Sequence, residues 1–208
     1  NPETSVVTVS DVVSTDNPGD YIFSLNADLS PVTFSKEVKI TKIDKHIPAG
    51  DVGMDRDENS GNLKINKYKV HFKGRKKSFK VTYSGKIASA IEQSAENYQR
   101  GFSESPGIIS TKGVYLAGST FWVLTAENSL MTFELTTTLP FDWKSVSQGK
   151  RIFDIKEKTG QIDKWVCNKP QEEVFLIAAQ FTEYGYDMNS GIKAMAFLRT
   201  PDEALANK

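Results

Sequence analysis

The chain is expected to be mainly β, with one short helix near residues 87–99 and the first turns of another at its carboxy end. Three observations predict this: apolar and polar residues alternate over short runs, Pro- and Gly-containing breaks separate those runs, and only two stretches carry helical signals. A chain of 208 residues accommodates one large all-β domain or two small ones. Such a chain buries roughly 70% of its unfolded surface, so a self-standing core is expected.

From Tyr21 to Ile40, Tyr21, Phe23 and Leu25 and then Val32, Phe34, Val38 and Ile40 alternate with polar neighbours. Pro18-Gly19 and Ser30-Pro31 interrupt the run, so it reads as short half-buried strands. In Lys67–Tyr83, Tyr68, Val70 and Phe72 share one face and Phe79, Val81 and Tyr83 another, with Lys73-Gly74-Arg75-Lys76 between them. This spacing predicts a β-hairpin.

Further strands are expected within 113–124, 130–139, 149–156, 164–168, 173–181 and 192–198. Ile87, Ala90, Ile91, Ala95 and Tyr98 recur at helical spacing and predict a short amphipathic helix. At the carboxy end, Thr200 as cap, Pro201 in the first turn and Glu203 closing a T-x-x-E box predict a helix start. Residues 1–199 then form the β domain, and 200–208 lead toward a following helical domain. The chain opens Asn1-Pro2 without Met, as expected where an upstream export signal or anchor has been removed.

Apolar residues make up 38% of the chain and charged residues 25%, a balance that supports a packed core and excludes disorder. Lys plus Arg equals Asp plus Glu at 26 each, so no net field draws the molecule to nucleic acid or anionic lipid. The chain contains no apolar run of the ~20 residues that a spanning helix requires, so no transmembrane segment is expected in it. Cys167 is the single cysteine; it has no internal disulfide partner and reads as a buried structural thiol on a strand.

Candidate chemistry is sparse. His46 and His71 lie far apart and outside any H-E-x-x-H or paired-cysteine arrangement, so no metal site is expected in the chain. Asp51, Asp55, Asp57, Glu58, Asn59 and Gly61 resemble a calcium loop superficially. Counted from Asp55, however, Gly61 falls one position late and Asn66 stands where a bidentate Glu belongs, so a polar connection is the better reading. The basic residues Lys64, Lys67, Lys69, Lys73, Arg75, Lys76, Lys77 and Lys80 alternate with apolar ones, as on the solvated face of half-buried strands. The chain contains no G-x-S-x-G elbow, phosphate loop or dinucleotide fingerprint.

Three stretches resemble the amino-terminal domain of aminopeptidase-N-like gluzincin peptidases, particularly divergent bacterial membrane-associated or lipoprotein members. They are Glu96–Ile109 with Gly113–Trp122; Leu130–Gly149, with its Leu139-Pro140, Trp143 and Val146-Ser147-Gln148-Gly149; and Trp165–Phe181. The likeness runs from about Tyr21 to the end and is densest after Ala95. It implies an extended, saddle-like β-sandwich preceding a thermolysin-like catalytic domain that binds zinc through H-E-x-x-H and a downstream Glu.

Neither that motif nor the G-x-M-E-N loop occurs here, so no catalytic residue and no zinc ligand carries over. The P-C-F-D-E-P-like stretch of typical members is also absent, with Gly118–Trp122 in its neighbourhood. The resemblance implies a cofactor-free, non-catalytic domain whose partners are the zinc-bearing catalytic domain of the same polypeptide and, through it, a peptide substrate, in the cell envelope. Gly118, Ser119, Thr120, Phe121 and Trp122 are the candidates for facing the cleft. Small residues there admit a ligand to the backbone, and two adjacent aromatics supply an apolar wall. A free-standing carbohydrate- or protein-binding sandwich would instead show an aromatic platform on one sheet face. An independent hydrolase would show converging carboxylates with displaced pKa values.

Overall fold

The computed structural model describes residues 1–36, 38–48 (46–48 as backbone), 63–72, 78–89, 107–188 and 191–207. Antiparallel strands dominate. They are β1 (Val6–Ser14), β2 (Gly19–Asn26), β3 (Leu29–Phe34), β4 (Lys39–Pro48), β5 (Lys64–Phe72), β6 (Ser78–Lys86), β7 (Ile108–Ser110) and β8 (Gly113–Leu116). There follow β9 (Thr125–Ala126), β10 (Met131–Leu139), β11 (Lys144–Val146), β12 (Lys150–Glu157), β13 (Gly160–Gln171), β14 (Leu176–Ala179), β15 (Thr182–Asp187) and β16 (Lys193–Leu198). Their sheet orders are β1-β6-β3, β4-β5-β2-β9, β11-β14-β8-β7, β10-β13-β12 and β15-β16.

The alternation around Lys67–Tyr83 identifies two strands correctly, but they are not a hairpin. β5 pairs with β2 and β4, whereas β6 pairs with β1 and β3. The two strands belong to different sheets whose apolar faces meet. Phe72 of β5 and Phe79 of β6 have ring centroids 5.7 Å apart, and Phe23 and Phe34 lie 5.9 and 6.0 Å from Phe79. Period-two alternation specifies which face is buried and leaves the hydrogen-bonding partner open. Here the two buried faces oppose each other across a sandwich interior. Residues 73–76, expected as the turn, lie outside the described residues.

Strand β1, which lies outside the expected strands, directs Val7, Val9 and Val13 toward the core. Asp11 occupies the same row, opposite Val81 and between the positions that face Tyr83 and Phe79. Burial raises the Asp11 carboxyl pKa above its ordinary 3.8. Burial and the neighbouring Asp11 charge likewise hold the Tyr83 phenol well above its usual range.

The expected break at Ser30-Pro31 lies inside β3, where a cis peptide coincides with a register shift between Leu29 and Val32. Ile87–Ser89, the expected start of the short helix, is non-helical chain with a bridge from Ala88 to Ile108; residues 90–106 lie outside the described residues, as does the calcium-like segment 51–62. The carboxy-terminal helix, α1 (Glu203–Ala206), is capped by Asp202 and not by Thr200. The Asp202 side chain accepts a 2.9 Å hydrogen bond from the Leu205 amide, one of the donors that the first turn leaves unpaired.

A second packing mode joins β11 to β13. Asp163 is fully buried and accepts bonds from the Ser145 amide (2.8 Å), the Ser145 hydroxyl (2.7 Å) and Gln161 Nε2 (2.9 Å). The Ser145 hydroxyl oxygen in turn accepts from Trp165 Nε1 at 2.9 Å. Every polar group of this cluster is satisfied, which is the condition for burying a carboxylate.

Candidate functional site

The residues from Ala117 to Trp122 leave β8 and make a single 3-10 turn at Gly118–Thr120. Phe121 ends the turn in the left-handed region (φ 49°), and its amide donates to the Gly118 carbonyl at 2.9 Å. The Thr120 hydroxyl accepts from the Ala117 amide at 3.1 Å, closing the turn from inside. From β2, Asn26 donates its backbone N–H to the Phe121 carbonyl (2.9 Å) and its side-chain amide to the Thr120 carbonyl (3.1 Å). The turn is therefore fixed to the carboxy-terminal end of β2.

Its other side is fixed to the loop before β14. The Gly118 amide donates to Glu173 Oε2 at 2.9 Å, and Trp122 Nε1 donates to the Val174 carbonyl at 2.9 Å. Gln148 bridges the same loop, donating to the Glu173 carbonyl (3.0 Å) and accepting from the Phe175 amide (2.9 Å). Glycine is required at position 118 because a Cβ there would stand 2.4 Å from Glu173 Cβ. At Gly149, beside Gln148, φ is +91° and a Cβ would meet the Val166 carbonyl oxygen at 2.2 Å.

The structure thus brings together parts of all three stretches that carry the family resemblance: 117–122, 146–149 and 173–175. It divides the five candidate residues. Ser119 is exposed and Gly118 half-buried, whereas Thr120, Phe121 and Trp122 are buried within the chain itself. Trp122 belongs to the main apolar core, and Phe121 packs in a separate small cluster with Ile65 and Leu63. The two adjacent aromatics thus support the turn from beneath. Glu173 and Asn26, which complete the site, carry no sequence signal of their own because they act through backbone groups brought near by tertiary packing, whereas Gln148 lies in the Val146–Gly149 motif that carries the resemblance.

A concavity of about 500 Å3 opens beside the Phe121–Ile65 cluster, lined by Asn26, Asp28, Leu63, Lys86 and Ile87 to Ser89. Among the described residues, no group of three or more His, Cys, Asp or Glu side chains is placed to hold a metal ion. Nor, among them, is any helix long and apolar enough to cross a membrane. Two of the candidate basic residues are neutralised locally: Lys67 pairs with Glu127 at 2.6 Å and Lys69 with Asp20 at 2.7 Å. His71 Nδ1 also meets Asp20, at 2.5 Å, on the exposed face of β5, and Lys69 and His71 together lower the Asp20 pKa. Among the described residues, the exposed aromatics Tyr115, Phe141, Phe153 and Tyr186 are spread over β8, the loop after β10, β12 and β15.

No family's sequence pattern matches the chain, and no curated protein matches it by sequence. Solved structures do resemble it. An M1 zinc metallopeptidase from Deinococcus radiodurans superimposes with a TM-score of 0.55 at 12% identity, over 89% of this chain and 40% of that one. A mutant M1 zinc metallopeptidase from the same organism, bound to a Tyr-Ser-Ala substrate, gives 0.56 at 11% identity, over 97% of this chain and 47% of that one. An aminopeptidase N family protein from Idiomarina loihiensis gives 0.51 at 12% identity, over 94% and 30%. The chain therefore spans less than half the length of these structures and shares the fold of one portion of M1 zinc metallopeptidase chains.

Proposed function

We propose that this chain is the non-catalytic amino-terminal domain of a zinc aminopeptidase-like protein, supporting and partly covering the active-site cleft of a catalytic domain in the same polypeptide. The observation that carries this reading is the asymmetry of coverage: nearly all of this chain corresponds to a minor share of each metallopeptidase structure. In this reading residues 1–199 form the supporting domain, 200–208 lead out of it, and zinc is held by the catalytic domain. The exposed Ser119 and the half-buried Gly118 face the cleft, near the amino terminus of a bound peptide. Thr120, Phe121 and Trp122 hold that surface in shape.

The parent is further proposed to reside in the bacterial cell envelope, which fractionation of the source cells tests. The principal experiment reads the coding sequence beyond Lys208 and assays both chains on aminoacyl fluorogenic substrates with added zinc. The expected result is an H-E-x-x-H in the continuation, zinc-dependent turnover by the complete polypeptide and none by residues 1–208. Turnover by the 208-residue chain alone, or a continuation without metal ligands, overturns the proposal.

A further inference from the structure

The β15-β16 hairpin differs from every other strand pair described here because it forms a sheet of its own. Its base is anchored. Arg151 Nη1 donates to Glu183 Oε2 at 2.7 Å, and Arg151 Nη2 also bonds that carboxylate. Arg199 lies over Phe181 at 5.8 Å from the ring centroid and donates Nη1 to the Lys112 carbonyl, while Phe181 and Phe197 meet at 6.0 Å. Thr182 to Tyr184 and Ala196 to Leu198 are accordingly half-buried.

The distal half has no such support. Gly185 to Met188 and Gly191 to Met195 are all exposed, on both faces of the ribbon. Tyr186 is on one face, Met195 on the other, and Met188 and Ile192 flank the tip, where the Met188 amide bonds the Ile192 carbonyl at 2.8 Å. Met188 is 56% and Ile192 60% exposed. The charged residues Asp187 and Lys193 face each other across the ribbon, so the tip presents apolar surface with no net charge. A two-stranded ribbon is marginal alone in water, and projecting apolar side chains of this kind mark an interaction surface.

We propose that this ribbon is a docking arm whose distal apolar side chains, Tyr186, Met188 and Ile192, pack against an apolar patch on the domain that follows β16 in the same polypeptide. Chain connectivity favours that occupant. Two residues after Leu198 the chain passes Thr200 into α1, so whatever follows is tethered at the arm's base and meets the tip at high effective concentration. A solved structure described as a two-domain M1 zinc metallopeptidase also matches all of this chain with 49% of its own length, leaving about half of that molecule for the second domain. A neutral apolar tip suits such a domain surface better than a polyanion. The inference rests on the reading that a further domain follows in the polypeptide, and it names the segment that contacts that domain.

Hydrogen exchange measured on the complete polypeptide and on residues 1–208 tests it, together with the double variant Met188→Ser/Ile192→Ser. The expected result is exchange of amides 185–195 slowed by roughly tenfold or more in the complete polypeptide. The double variant should abolish that protection and leave the Tm of residues 1–208 unchanged. Equal exchange in the two chains overturns the proposal. So does protection that rises with protein concentration and accompanies dimer in sedimentation, because the occupant is then a second copy. A peptidase continuation with an unprotected arm sinks the arm alone, whereas a protected arm on a continuation lacking H-E-x-x-H sinks the peptidase reading alone.

Discussion

Between the β1-β6-β3 and β4-β5-β2-β9 sheets, Phe23, Phe34, Phe72 and Phe79 interlock edge to face or tilted, and apolar contact holds the layers together. Between β11 and β13 the corresponding role falls to Asp163, Ser145, Gln161 and the Trp165 N–H. Apolar packing is non-directional and degrades in proportion to lost volume. A buried polar cluster is directional, so one missing acceptor leaves several donors unsatisfied while the shape stays intact. The first arrangement gives tolerance, the second fixes the placement of one strand.

Truncating Phe79→Ala should give the largest effect, about 3–5 kcal/mol lost in chemical denaturation, because it opens a cavity among three aromatic neighbours. A loss below about 1 kcal/mol would show that the amino-terminal sheets do not depend on this packing. Asp163→Asn keeps the volume but turns an acceptor oxygen into a donor amide facing the Ser145 or Gln161 donors. We expect it to cost about 2–3 kcal/mol, with faster hydrogen exchange concentrated in β11. Uniform exchange across the molecule would erase the distinction between the two regions. Arg151→Lys should cost about 1–2 kcal/mol by losing the two-pronged bond to Glu183 and the contact 5.8 Å from the Trp165 ring, loosening the base of β15.

The smallest effect is of opposite sign. Because the folded Asp11 pKa lies above 3.8, the stability associated with its protonated form is complete below that value and is lost as pH rises through the elevated one. Asp11→Asn does not ionise, so it should raise the Tm at neutral pH and lose that advantage in acid. An advantage that persists below pH 3.8 would place its origin outside ionisation.

The aromatic region was legible in the sequence because period-two alternation reports burial directly, as at Tyr68, Val70 and Phe72. What alternation does not carry is pairing, which is why β5 and β6 read as partners although they face each other across the core. The polar region was not legible. Asp163 sits in a strand where a carboxylate is disfavoured, and only the fold shows the Ser145 and Gln161 donors converging on it. At the candidate site the small residues were informative: Gly118 marks a close approach. The object approached is Glu173, a neighbour within the chain, and Phe121 and Trp122 turn inward because the left-handed step at Phe121 redirects the backbone.

The burial of Cys167 gives the molecule an internal clock. The residue is 3% exposed, sits on β13 two residues beyond Trp165, and carries the only sulfhydryl in the sequence. A thiol-specific reagent can therefore modify the protein at a single atom, and only after β13 separates from its neighbours. Labelling rates followed against denaturant would time the opening of the polar-pinned region by itself, without any engineered reporter.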